Sequence, residues 1–252
     1  MIETIVVKVG RNAAKHLPAQ FFQILKHWHT QGKHILVIHG GGLQISQWSN
    51  QLGLTVHKHH GIRITDPQTL AVTQAVLLGA VQPAICEQFS RYNLPVVGLN
   101  ASDNYLLTGD YIEREKYGEV GKITSVNENW LQTILNDQIA VVAPLAQTLA
   151  GNMVNVNADE AAAAIAAKLG ADQLVFLTDV PGILKAGNIV PILDRKQAKK
   201  MVEKKQIKAG MVPKINAVFS ALHAGVKKVF ITNDLNDSGT VFHQSPVANA
   251  HS

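Results

Sequence analysis

The sequence predicts an α/β protein: a three-layer α-β-α sandwich with a mainly parallel, open central sheet. Three observations support this. Short β-rich runs alternate with helical stretches along the 252 residues. Most of those runs are continuously apolar rather than alternating, as strands covered on both faces should be. The strand, helix, strand order implies right-handed crossovers between parallel neighbours, so ligands are expected at the carboxyl ends of the strands.

In chain order, Thr4 to Val9 reads as a strand because β-branched residues dominate it, and a helix follows near Pro18 to Thr30. Ile35 to His39 repeats the strand pattern, followed by a helix near Leu43 to Gln51. A further helix starts near Pro67, where proline is tolerated at the first helical position. Later strands are Leu94 to Leu99, Ile139 to Ala143, Gln173 to Thr178 and Lys228 to Thr232. The stretch Thr108 to Asn129 breaks this rhythm and reads as a polar β-hairpin, a lid or an edge. Around Gly170-Ala171-Asp172 the chain passes from a helix to a new strand, which places a boundary between lobes 1–171 and 172–252. Gln244 to Ser252 reads as a frayed tail.

Composition excludes several classes. The start, Met1-Ile2-Glu3-Thr4-Ile5, lacks the pattern of a signal peptide, and no apolar run approaches the roughly 20 residues of a spanning helix. The expected setting is cytoplasmic, with no membrane partner. Cys86 is the single cysteine, so neither an internal disulfide nor a structural zinc site can form. The net charge of +5 is scattered apart from Lys199-Lys200 and Lys204-Lys205, a solvated helix face, so no nucleic-acid partner is expected. His57, His59 and His60 lack the i, i+4 spacing of a helical metal site, and no metal ligands are assigned.

The chemistry gathers at strand ends. Asn155-Val156-Asn157-Ala158-Asp159 runs into an alanine-rich helix, placing amides and a carboxylate where free N–H groups and the helix dipole favour an anion. The plainer reading is that Asn157 or Asp159 caps that helix. Lys8 lies inside an apolar strand just before Gly10, a costly place for a charge unless its head finds a partner. His39-Gly40-Gly41-Gly42 ends a strand in three glycines, which lets backbone N–H groups approach an anion; it matches neither the Rossmann nor the Walker pattern. Arg63, in Gly61-Ile62-Arg63-Ile64-Thr65-Asp66-Pro67, offers a planar clamp for a carboxylate, against the alternative of a surface salt bridge. Two further segments complete the series: Thr178-Asp179-Val180-Pro181-Gly182-Ile183-Leu184, a strand end with a Pro-Gly turn, and Gly210-Met211-Val212-Pro213-Lys214, a second lysine beyond a bend.

Taken in this order and spacing, these segments resemble the amino-acid kinase superfamily, and within it the acetylglutamate kinases of arginine biosynthesis. The resemblance covers the chain from Lys8 to Gly239-Thr240. It implies that the ATP γ-phosphoryl group passes to the side-chain carboxylate of N-acetyl-L-glutamate. By the same resemblance, Lys8 and Lys214 would stabilise the transferring group and Asp159 would hold both ammonium groups. Gly41, Gly42, Arg63 and Asn155 would bind the acetylamino acid. Gly10, Asp179, Gly182, Ile183 and Leu184 would bind the nucleotide, with Mg²⁺ carried on it. The N-terminal lobe would also form a homodimer. The first strand starts within a few residues of Met1, which by resemblance implies no arginine-inhibited hexamer.

The sequence departs from the family where Arg11, Ala101 and Ala146 replace expected glycines. Arg11 is expected to add positive charge near the phosphates without abolishing activity. Competing readings are a kinase for N-acetyl-aminoadipate, one methylene longer, and a catalytically silent sensor of nucleotide or amino acid. Intact Lys8, Asp159 and Lys214 favour the kinase.

Overall fold

Helices enclose a central sheet of eight strands in a computed structural model that describes residues 2–10, 16–59, 61–207 and 209–243. From one edge to the other the strands are Ile192–Leu193, Thr240–Phe242, Lys228–Thr232, Gln173–Leu177, Thr4–Val9, His34–His39, Ile139–Val142 and Val96–Leu99. Every neighbouring pair is parallel except Lys228–Thr232 with Thr240–Phe242. Thr4–Val9, His34–His39 and Ile139–Val142 are buried at every position. Both faces are therefore covered, which is why these strands read as unbroken apolar runs.

The sheet is continuous across residues 171 and 172, because Thr4–Val9 pairs with Gln173–Leu177. Arg11 and the Gln244 to Ser252 tail lie outside the described residues, as does His60. Ala101 and Ala146 are fully buried, and neither has a positive φ. An L-residue thus fits both places without backbone strain.

The stretch read as a polar excursion is neither a lid nor a sheet edge. Leu107–Tyr111 and Val120–Val126 do form an antiparallel hairpin, with a helical turn Arg114–Tyr117 at its tip. Two short strands, Leu145–Gln147 and Met153–Val156, close it into a four-stranded barrel. The barrel is tight because two strands carry glycine at the closest approach. A methyl on Gly109 would stand 2.7 Å from the Ala146 Cβ, and one on Gly121 2.5 Å from Val154. Strands of three and four residues carry too little pattern to be read from sequence.

A long helix crosses beside the sheet. It runs as α-helix over Pro67–Val76, as π-helix over Leu77–Val81 and as α-helix again over Gln82–Arg91. Asp66 caps it by accepting a hydrogen bond from the Thr69 N–H at 2.7 Å. At 25 residues it is long and apolar enough by composition to cross a membrane, contrary to the expectation from unbroken apolar runs. That expectation missed it because Gln74 and Gln82 interrupt the run without lowering the average enough. Val72, Val76, Leu77, Val81, Ile85 and Phe89 on this helix are buried in the core. Gln82 is buried too, and its amide donates to Leu99 O at 2.8 Å and Val141 O at 2.9 Å, tying the helix to two strands. Phe89 meets Phe22 edge to face at 5.3 Å, and Tyr92 stacks on Phe22 at 4.4 Å. Burying each such ring contributes roughly 1.5–3 kcal/mol, which joins this helix to the first helix, Ala19–Thr30.

Candidate active site

The carboxyl ends of the parallel strands share one edge, where the glycine turns gather. Lys8 lies on Thr4–Val9 in register with Phe176 and Ile38. Two helices bring their first turns to it: Ala158–Lys168, carrying Asp159 second, and Val212–His223, carrying Lys214 third. Lys8 Nζ stands 2.9 Å and Lys214 Nζ 2.8 Å from the same oxygen, Asp159 Oδ1. The side chains of Lys8, Asp159 and Lys214 are 11, 16 and 10% exposed, so the cluster is largely out of water.

Burial alone would push the Asp159 carboxyl up, but Lys8 and Lys214 outweigh it and hold the group below the usual carboxylate range. Burial and, after it, repulsion from Lys8 pull Lys214 down to about 8, against the attraction of Asp159. A first-turn lysine also meets the positive end of its own helix dipole. Its ammonium lies 5.1 Å from the Phe176 ring centroid, a cation–π contact that offsets part of the burial. Two ammonium groups share one carboxylate, leaving a net positive charge with N–H bonds to spare. That is the arrangement an incoming polyanion requires.

The helix mouth itself is not an open anion site. Asn157 Oδ1 accepts from Asp159 N at 2.9 Å and Glu160 N at 3.3 Å, so a side chain already caps it. The capping reading thus holds for Asn157, while Asp159 turns to the lysines.

A second cluster adjoins the first. Arg63 ends the short strand Ile62–Arg63 and is buried. Its Nη2 donates to Gly42 O and to Ser46 Oγ, both at 2.8 Å, which fixes the guanidinium against the glycine run. Its Nη1 is buried with no partner among the described residues. Burial lowers the Arg63 pKa from its ordinary value, and a buried donor left open in a charged group is costly unless a ligand fills it. A carboxylate fits that opening. Gly41 must be glycine for packing: a methyl there would lie 2.6 Å from Leu77 Cδ2 on the π-helical turn. A methyl on Gly61 would lie 3.7 Å from Pro213, so the arginine loop abuts the helix that carries Lys214. Asn155, at the end of the barrel strand Met153–Val156, donates from Nδ2 to Thr65 Oγ1 at 3.2 Å.

The remaining candidates lie at the end of Gln173–Leu177. Gly10 is next to Leu177, since a methyl on it would be 3.3 Å from Leu177 O. Asp179 is exposed, and Leu184 is 39% exposed. Gly182 packs on Thr240 with φ +156°, and the buried Ile183 commits its N–H to Thr240 Oγ1 at 2.8 Å. This segment stands beside the Lys8 strand but makes no hydrogen bond or ion pair with the lysine cluster. Among the described residues, no group of three or more His, Cys, Asp or Glu side chains could hold a metal ion. Ser46 and Thr65 were absent from the sequence reading, as small hydroxyl residues in loops and helix faces carry no distinguishing pattern.

A family model described as the amino acid kinase family matches residues 3–233. The chain belongs to that family, a family of phosphotransferases. Its more particular likeness is to acetylglutamate kinases. One from Lactiplantibacillus plantarum is 44% identical over 244 residues, covering 97% of this chain and 98% of that protein. Another from Leuconostoc citreum is 41% identical over 242 residues, covering 96% and 99%. Among solved structures, smu.665 from Streptococcus mutans UA159 superposes with a TM-score of 0.90 at 31% identity, covering 95% of this chain and 98% of that one.

Proposed function

We propose that the protein transfers the γ-phosphoryl group of ATP to the side-chain carboxylate of N-acetyl-L-glutamate, giving an acyl phosphate and ADP. The observation that carries this reading is the pair of lysines held on one carboxylate oxygen, beside a buried arginine with one open donor. A carboxylate oxygen of the acceptor attacks phosphorus, the bond to the bridging oxygen of ADP breaks, and its electron pair leaves with ADP. The acceptor is already ionised at neutral pH, so no general base is required. The protein's task is to position the reactants and neutralise the transferring group.

Lys8 and Lys214 serve the transferring oxygens, and Asp159 keeps their ammonium groups close despite mutual repulsion. Arg63 Nη1 receives the α-carboxylate, with Gly41, Gly42 and Asn155 completing the acceptor side. Gly10 and the segment Asp179 to Leu184 hold the nucleotide, Leu184 through its exposed side chain. Mg²⁺ enters with the nucleotide and neutralises phosphate charge there. In this reading, residues 1–171 form the acceptor lobe and 172–252 the nucleotide lobe. The active form is a cytoplasmic homodimer, which light scattering would test.

The test is incubation with ATP, Mg²⁺ and N-acetyl-L-glutamate, trapping the acyl phosphate with hydroxylamine and using Lys8→Ala as the control. A Lys8-dependent hydroxamate is expected; none from folded, nucleotide-binding protein would overturn the reading.

A pH dependence follows. Lys214 must be charged, and in the free protein it loses its proton as pH rises through about 8. We therefore expect kcat/KM to fall on the alkaline side near pH 8. The fall in kcat should come at higher pH, since bound phosphates favour the ammonium. Lys214→Arg should remove the alkaline limb, because a guanidinium stays charged throughout. A kcat/KM flat to pH 10 in the unaltered protein would contradict the assignment.

A further inference from the structure

We infer that Thr65 is a positioning residue that aims Asn155 at the acceptor, an inference that rests on the acetylamino-acid reading of Arg63 and Asn155. Thr65 is fully buried, and each of its hydrogen-bonding groups is engaged. Its N–H donates to Tyr117 O at 2.9 Å, and its carbonyl accepts from Glu119 N at 2.6 Å. The loop is thereby stitched to the barrel hairpin. Its hydroxyl donates to Arg63 O at 3.0 Å and accepts from Asn155 Nδ2 at 3.2 Å. One oxygen therefore joins the backbone of the carboxylate clamp to the side chain of a residue 90 positions away.

The direction of these bonds carries the argument. The Arg63 carbonyl can only accept, so the Thr65 hydroxyl hydrogen is spent on it. The oxygen can then only accept from Asn155, and it is the NH₂ of that amide that faces Thr65. Asn155 Oδ1 is left turned away as an acceptor, suited to an N–H on the ligand. An α-acetamido group supplies one. Thr65 thus presets which end of Asn155 the ligand meets, and at what distance from the Arg63 clamp. A free asparagine would have to lose rotational freedom on each binding event.

The experiment compares N-acetyl-L-glutamate with 2-acetoxyglutarate, in which an ester oxygen replaces the N–H. The unaltered protein should prefer the acetamide by tenfold or more in kcat/KM, on the order expected when a site's acceptor is left unpaired. Thr65→Val keeps the shape and both backbone bonds but loses the hydroxyl. It should raise KM for N-acetyl-L-glutamate by about tenfold, leave KM for ATP unchanged and erase most of the preference. Thr65→Ser should restore both. In an Asn155→Ala background, Thr65→Val should add little further loss.

Equal kcat/KM for the two acceptors in the unaltered protein would overturn the inference even if Thr65→Val did not fold. So would a Thr65→Val variant with unchanged KM and preference, or a Thr65→Ser variant as impaired as Thr65→Val. Failure of the parent reading looks different: the unaltered protein would turn over neither acceptor, and the inference would fall with it.

Discussion

Asp159→Asn is expected to lower kcat by about 10²–10³-fold, the usual scale for removing one preorganised electrostatic element. The variant keeps the shape but leaves two buried ammonium groups, 2.9 and 2.8 Å from one atom, without their counter-charge. Removing one partner of a buried ionic cluster also costs roughly 3–5 kcal/mol of stability at neutral pH. The pH signature separates this cause from simple misfolding. In the parent protein, the Asp159 carboxyl is held below its unfolded value, so its contribution is present above about pH 4 and is lost as pH falls through the folded pKa. In the variant that contribution is gone, and Lys214, already at about 8, is depressed further. A depressed lysine penalises folding while it is protonated, and the penalty fades as pH rises toward about 10. The variant's deficit in Tm should therefore shrink between pH 7 and pH 10. A deficit that stays constant would show that the lysine pair does not depend on Asp159.

Arg63→Met is the second large effect. It removes the open Nη1 donor and the anchor to Gly42 and Ser46. KM for the acceptor should rise about 10²–10³-fold, as expected for truncating one side of a buried charged pair, with kcat changing much less. Arg63→Lys should recover little of this. A single ammonium cannot keep both bonds at 2.8 Å and still present a second nitrogen to a carboxylate. Ser46→Ala removes only one support and serves as a control for loosened packing. Initial-rate kinetics with the acceptor varied at saturating ATP would decide the matter; an unchanged KM would remove Arg63 from the acceptor side.

Much of this arrangement was legible before any coordinates. The strands Thr4–Val9 and Lys228–Thr232 begin and end where their apolar runs do, because a strand buried on both faces has nothing else to signal its limits. Lys8 announced itself as a charge in such a strand, and the structure supplies the partner that this placement demands. Asn157 shows where local reasoning stopped. The same pattern describes a helix mouth open to an anion and one closed by its own cap, and only the side-chain rotamer distinguishes them. The barrel strands Leu145–Gln147 and Met153–Val156 were missed because their partners are distant and their lengths too short for periodicity. Thr65 was missed because its role is purely relational: it joins Arg63 to Asn155.

The π-helical turn Leu77–Val81 bears on how this chain tolerates change in length. It stores one extra residue inside an otherwise α-helical rod, and that residue sets the phase of everything after it. Deleting a single position there would wind the turn back to α-helix and rotate the Gln82–Arg91 segment by about 100° relative to Pro67–Val76. Gln82 would swing off its two strands, Phe89 would leave the aromatic cluster, and Leu77 would no longer fill the hollow at Gly41. Substitutions can be absorbed one side chain at a time, but the reading frame of this helix is shared by the sheet, the core and the glycine run at once.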